Sequence, residues 1–303
     1  MEGSTGGNDP DRPFGRVLTA MVTPFTAAGE LDVEGAQRLA THLVDRGGCD
    51  GLVLSGTTGE SPTTTDEEKR RLLAAVLEAV GDRATVLAGV GTNDTAHTVH
   101  LAQAAERTGA HGLLVVTPYY NRPPQEGLLR HFRTVADATD LACMLYDIPA
   151  RTGVALAVDT LVRLAEHPRI VAVKDAKGDL GQLSWTLART DLAYYSGEDM
   201  LNLPMLSVGA VGFVSVVGHV VGAQLRELLD AHEKGDVAHA ASVHRALLPV
   251  YAGLFRTQGV ILAKAALALL GLPGGPVRAP LVDATEEQVA TLREDLRAAG
   301  VST

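Results

Sequence analysis

The chain has 303 residues, 46% of them hydrophobic and 20% charged, with a formal net charge of -10 and two cysteines. That much apolar material closes a large core and excludes disorder as the main state. Acidic and basic residues are interleaved, as in DEEKRR and REDLR, which leaves no basic stripe for a nucleic-acid backbone, and Cys49 and Cys143 make neither a CxxC pair nor a disulfide framework.

The first 13 residues, MEGSTGGNDPDRP, are polar and Gly-rich without an apolar signal core, and read as a flexible N-terminal tail on a cytoplasmic protein. Short β-branched runs then recur: VLTAMVTP (17–24), GLVLSG (51–56), TVLAGV (85–90), GLLVVTP (112–118), ACMLYD (142–147), IVAVKD (170–175), LAYYSG (192–197) and VGFVSVV (211–217). Segments of helical periodicity separate them, among them DVEGAQRLATHLVDRG, TDEEKRRLLAAVLEAVG, DTAHTVHLAQAAERTG and PPQEGLLRHFRTVADAT, most opening at an Asp or Thr N-cap and several closing at Gly.

Eight strand–helix units predict an α/β protein of the closed (β/α)8, or TIM barrel, kind, and no GxGxxG follows the first strand to suggest an open dinucleotide-binding sheet. The apolar stretch VGAVGFVSVVGHVVGA is broken by glycines and a histidine and is not expected to cross a membrane. From about residue 221 the chain reads as successive helices, with the turn-rich PGGPVRAP (273–280) before the last. The expected division is a barrel over 14–235 and a C-terminal helical domain over 236–303.

In such a barrel the reactive side chains come from the carboxyl ends of the strands. Here those ends supply one lysine, Lys174, with several hydroxyls and phenols, and no His, Cys and carboxylate set of metal-ligand spacing. His97 and His100 of HTVH lack a third ligand and read as an exposed helix face. A neutral lysine amine attacks a ketone to give a Schiff base, whose cationic nitrogen is an electron sink for deprotonation at the next carbon. Burial at the end of an apolar strand favours the neutral amine, because desolvation penalises the ammonium. Tyr146, one strand away, can carry the proton, relayed through the Thr57 hydroxyl. The plainer reading of Lys174 is a strand-end lysine paired with Asp175 or another carboxylate.

The neighbouring motifs have two readings each. GTTGES can cradle a carboxylate with backbone N–H groups and the Thr57 and Thr58 hydroxyls, or be an ordinary Gly-rich turn opening a helix. The tyrosines of PYYNRPPQEG can pack or act, and Arg151 of IPARTG can read a carboxylate or lie in solvent.

Jointly, GTTGES, TPYYN, LYDIPART and VAVKDAKGD, with SGEDMLNLP, resemble the dihydrodipicolinate synthase family, over about residues 16 to 299 and in its actinobacterial type. The resemblance implies condensation of pyruvate with L-aspartate 4-semialdehyde in the diaminopimelate route to lysine, without an external cofactor or metal. Carried over by position, Lys174 would form the Schiff base and Tyr146 would be the general acid/base. Thr57 would link it to Tyr120, contributed across the tight interface of a homotetramer built as a dimer of dimers. Thr58 would hold the pyruvate carboxylate, Arg151 the semialdehyde carboxylate, and Gly197 and Val214 would offer backbone atoms.

This sequence has Asp147 where many members have Asn and Asp175 where many have Glu. At the family's lysine effector site Tyr119 and Asn93 remain, but Asp66, Lys69 and His97 occupy the other positions. An added cation beside a cationic effector is unfavourable, so weak or absent lysine inhibition is expected. The competing readings are a related pyruvate-dependent aldolase acting on a sugar acid or sialic acid, and a non-catalytic barrel that binds a keto acid.

Overall fold

The computed structural model describes residues 12–303. The expected N-terminal tail falls almost wholly on residues 1–11, outside the described residues. Eight parallel strands pair each with the next, and the last with the first: β1 Val17–Ala20, β2 Gly51–Leu54, β3 Thr85–Gly89, β4 Gly112–Val116, β5 Cys143–Asp147, β6 Ile170–Asp175, β7 Ala193–Ser196 and β8 Gly212–Ser215. They close the predicted barrel, each within its β-branched run.

Helices fill the connections: α1 Val33–Asp45, α2 Asp66–Val80, α3 Thr95–Thr108, α4 Gln125–Asp137, the one-turn α5 Pro149–Thr152, α6 Val158–Ala165, α7 Leu180–Leu187, α8 Asn202–Ser207 and α9 Gly218–Glu233. Three more follow, α10 Val237–Leu254, α11 Gly259–Leu269 and α12 Glu286–Ala298. The Asp and Thr caps form as expected: Asp32, Thr65 and Asp94 each accept a first-turn N–H, and Thr65 with Glu68 makes a full capping box. The run VGAVGFVSVVGHVVGA becomes β8 and the start of α9, and no single helix among the described residues is long and apolar enough to cross a membrane.

Strand alternation divides the apolar residues into two cores. Leu18, Val53, Leu87, Met144, Ala172, Tyr195 and Val214 fill the barrel interior. Their neighbours, such as Val17, Leu52, Leu145 and Val173, face the helices in a larger core that also takes in Leu247, Val250, Leu262, Leu292 and Leu296 from the last three helices. The C-terminal helices therefore share the barrel's outer core. At the amino ends of the strands the chain before β1 covers the interior: Phe14 is buried there and the Tyr195 hydroxyl donates to the Gly15 carbonyl at 2.9 Å.

The C-terminal segment returns to the opposite, carboxyl-end face. Phe25 N–H donates to Gly274 O at 3.2 Å. Gly275 has φ +66°, and a Cβ there would lie 1.8 Å from Phe25 O, so only glycine allows this approach. Arg278 stacks on the Phe25 ring, donates to Gly29 O and Thr63 O, and pairs with Glu68 at 2.5 Å.

Candidate active site

The register of β5 against β6 sets Tyr146 beside Lys174, and that of β6 against β7 sets Lys174 beside Tyr195. Because Met144 and Ala172 face the barrel interior, Tyr146 and Lys174, two residues further on, face it too, above the last apolar layer. Both are buried, each 4% exposed. The Lys174 ammonium nitrogen lies 4.2 Å from the centroid of the Tyr146 ring.

Gly197 is what makes room for this lysine. A Cβ at position 197 would come within 2.9 Å of both Cγ and Cε of Lys174. Its N–H donates to Asp175 O at 2.8 Å, which fixes the backbone on which the side chain rests. Val214, on β8 and in register with Leu18, belongs to the interior layer beneath. Asp175 does not pair with Lys174. Strand alternation turns it outward, where its Oδ1 accepts the N–H groups of Lys177 and Gly178.

A cavity of about 480 Å³ opens over the strand ends and brings together Thr57, Tyr120, Tyr146 and Arg151 with Tyr119, Glu60, Gln258 and Leu281. Thr57 and Tyr146 therefore face one space, with Arg151 on the one-turn helix α5 at its wall. Thr58 is buried in the same loop as Thr57. Tyr120 stands out as the most exposed aromatic side chain of the mouth, 89% accessible, on a backbone with φ +72°.

Left-handed backbone at non-glycine positions is confined to Ser55, Glu60, Tyr120 and Arg122 among the described residues, all in the loops around this cavity. Such positions cost of order 1 kcal/mol or more each and persist only where surrounding contacts impose them. Here those contacts are visible. Arg122 Nε donates to Gly153 O at 3.0 Å, Asn121 Nδ2 to Asn93 O at 2.9 Å, and the Thr23 hydroxyl to Gly59 O at 2.6 Å.

Glu60 is held by the C-terminal layer. Its Oε2 accepts Arg278 N–H at 2.8 Å, and its Oε1 lies 2.6 Å from Lys264 Nζ, in an ion pair with both side chains 3% exposed or less. Lys264 in turn donates to Pro276 O at 2.7 Å, and burial pushes its ammonium below the usual lysine range, against the pull of Glu60.

Sequence reasoning did not reach this link, nor the cavity wall formed by Gln258, Pro280 and Leu281. The one available signal was PGGPVRAP, whose glycines and prolines mark a special backbone path. Also missed was the partner of Asp147, whose Oδ2 lies 2.8 Å from Lys177 Nζ.

At the positions expected for an effector, His97 pairs with Asp66 at 3.0 Å and Lys69 donates to Ser61 O at 3.0 Å and Thr64 O at 2.5 Å. Burial lowers the Lys69 pKa. No group of three His, Cys, Asp or Glu side chains among the described residues converges as a metal set.

A (β/α)8 barrel with a lysine and a phenol side by side at the carboxyl ends of its strands defines a lyase of the aldolase type. The dihydrodipicolinate synthetase family model matches residues 13–299, and the chain belongs to that family. It is 72% identical over 288 residues to the 4-hydroxy-tetrahydrodipicolinate synthase of Acidothermus cellulolyticus, covering 95% of this chain and 93% of that protein. It is 68% identical over 292 residues to 4-hydroxy-tetrahydrodipicolinate synthase 2 of Streptomyces coelicolor, covering 96% and 97%. Among solved structures, that of DHDPS from Cyanidioschyzon merolae with lysine bound superposes with a TM-score of 0.93 at 42% identity, covering 95% of this chain and 99% of that one.

Proposed function

We propose that the protein is a 4-hydroxy-tetrahydrodipicolinate synthase of the diaminopimelate route to lysine, condensing pyruvate with L-aspartate 4-semialdehyde through a Schiff base on Lys174. The observation that carries the mechanism is Lys174, buried at the end of β6 against the Tyr146 ring. The high identity to two named synthases over nearly the whole chain supports the substrates.

The neutral amine of Lys174 adds to the ketone carbon of pyruvate, and a hydroxyl leaves as water once Tyr146 has delivered its proton. The iminium then draws electrons from the methyl carbon, which loses a proton and attacks the aldehyde of the semialdehyde. The amine of that substrate adds to the imine carbon and displaces Lys174, closing the ring and returning the enzyme. One water is released overall and no external cofactor takes part. Thr57 passes protons between Tyr146 and Tyr120, Thr58 holds the pyruvate carboxylate, and Gly197 and Val214 line it with backbone atoms. Arg151 takes the carboxylate of the semialdehyde, for which a fixed guanidinium is well suited.

Tyr120 projects from the mouth and is supplied to a neighbouring site in a cytoplasmic homotetramer made of two tight dimers. Its 89% exposure in one chain supports this role.

The test is borohydride trapping with pyruvate, read by intact mass. Native protein gains about 72 Da, the reduced imine, and Lys174→Ala gains nothing. Adding the semialdehyde in place of borohydride consumes pyruvate. An adduct without consumption points to a sister aldolase, and no adduct on the native protein overturns the reading.

A further inference from the structure

Behind the reactive pair lies a second, charged one. β5 ends in Tyr146 and Asp147, and β6 runs through Lys174 and Asp175 into the loop that carries Lys177. Tyr146 pairs in register with Lys174 and Asp147 with Asp175, so alternation turns the first two inward and both carboxylates outward. Lys177 folds back over the strand ends. Its Nζ sits 2.8 Å from Asp147 Oδ2 and 3.3 Å from Leu156 O, with the side chains 5% and 0% exposed. Asp147 also accepts Leu156 N–H at 3.2 Å, and Asp175 Oδ1 accepts the N–H of Lys177 itself. The strand end that carries Tyr146 and the loop that leaves Lys174 are thus tied by one buried ion pair.

We propose that Lys177 is a positioning residue for the reaction: through its ion pair with Asp147 it holds the ends of β5 and β6 in the register that sets the Tyr146 phenol against the Lys174 amine. The inference rests on the Schiff-base reading of Lys174. The location makes the tie consequential, since each partner lies within three residues of a reacting side chain, and displacements of about 1 Å at such a site cost as much as 100-fold in rate. The chemistry makes it strict, because removing one member of a buried pair strands the other charge, whereas removing both can be close to neutral.

Burial pushes the Asp147 carboxyl up and Lys177 opposes it, with Asp175 nearby adding to the rise. Asp175 is likewise raised by burial against the pull of Lys177, with Asp179 beyond it adding to the rise, and the hydroxyl of Tyr194 on β7 also feels both carboxylates. These groups define the pH signature. Lys177→Met leaves Asp147 unpaired, so its rate loss eases toward acid pH as the carboxyl takes a proton. Asp147→Asn leaves the Lys177 ammonium beside Asp175 and Leu156 O but without its closest carboxylate, so the tie to the end of β5 is weakened.

The experiment measures kcat, KM and the rate of pyruvate adduct trapping across pH for native protein, both single variants and Lys177→Met/Asp147→Asn, with thermal melting as a folding control. Folded single variants lose roughly tenfold or more in trapping rate and kcat at neutral pH with little change in KM, the loss in Lys177→Met easing toward acid pH, and the double variant recovers much of it. Native trapping rates in either single variant overturn the inference, as does a loss in Lys177→Met with no pH slope. Should the single variants fail to fold, the double decides: folded and near native supports the tie, folded and tenfold slower refutes it. No adduct on the native protein refutes the Schiff-base reading instead, which separates the two failures.

Discussion

Lys174 lies across Gly197 with its ammonium 4.2 Å from the centre of the Tyr146 ring, so the volume of one residue on β7's exit sets where the amine points on β6. Gly197→Ala places a methyl within 2.9 Å of two carbons of that side chain. Overpacking of this kind costs about 1–3 kcal/mol when the neighbour cannot give way. Here the neighbour is the nucleophile, which moves. The expected result is a folded protein with trapping and turnover reduced roughly tenfold or more, checked by borohydride trapping beside a melting curve.

Tyr120, if shared between subunits, allows two inactive variants to repair one another. Tyr120→Phe keeps Lys174, and Lys174→Ala keeps Tyr120. Random re-assembly of equal amounts into dimers gives half mixed dimers with one complete site each, or about a quarter of native activity. Dissociating and re-mixing the purified variants, then assaying turnover, measures it. Activity no higher than the sum of the parents would show that Tyr120 serves its own chain.

Stability should fall below neutral pH because of two buried histidines. Burial lowers His219 to about 4; its Nε2 accepts Val22 N–H, and the other ring nitrogen faces Val216 O at 2.7 Å. Burial also lowers His131 to about 4. A base whose folded pKa lies below its unfolded value near 6.5 binds its proton more tightly when unfolded. Stability is therefore full above about 6.5 and drains as pH falls toward 4, by about 3 kcal/mol per group across the window. Denaturation midpoints between these pH values should fall less steeply for His131→Gln than for native protein.

Lys264→Met takes away the closest cation of the buried Glu60 carboxylate, leaving it the Arg278 amide and the more distant Arg278 guanidinium, and should destabilise by about 3–5 kcal/mol, as read by chemical denaturation. Arg70→Ala, which removes an exposed pair with Glu67 on α2, serves as the contrast and should leave the denaturation midpoint nearly unchanged.

Lysine should inhibit weakly or not at all. Lys69, which donates to Ser61 O, and the His97–Asp66 pair stand at the positions that the family resemblance assigns to the effector, where Lys69 would set a cation beside a cationic ligand. Initial rates in a coupled assay with added lysine test this, and a sub-millimolar inhibition constant would overturn it.

What the sequence made legible is what local periodicity encodes. Runs such as IVAVKD and GLLVVTP announce strands buried on both faces, and Asp or Thr before an amphipathic segment announces a helix start. Lys174 was readable because an ammonium ending such a run demands a reason. Glu60 with Lys264, and Asp147 with Lys177, were not readable. Each is an ordinary charge in its own segment and becomes buried only when distant segments meet. Gly197 was placed at the site by resemblance, while its use, clearance for a side chain on the adjacent strand, emerges only from the packed barrel.

The wall that Gln258, Pro280 and Leu281 contribute to the cavity bears on how the enzyme is made. A ribosome delivers the chain from its amino end, so all eight strands, with Lys174 and Tyr146 among them, are synthesised before that wall exists. The reaction chamber is thus completed late in translation, and a transcript truncated before residue 258 would encode every proposed catalytic group while lacking both that wall and the side chains that α11 and α12 add to the outer core.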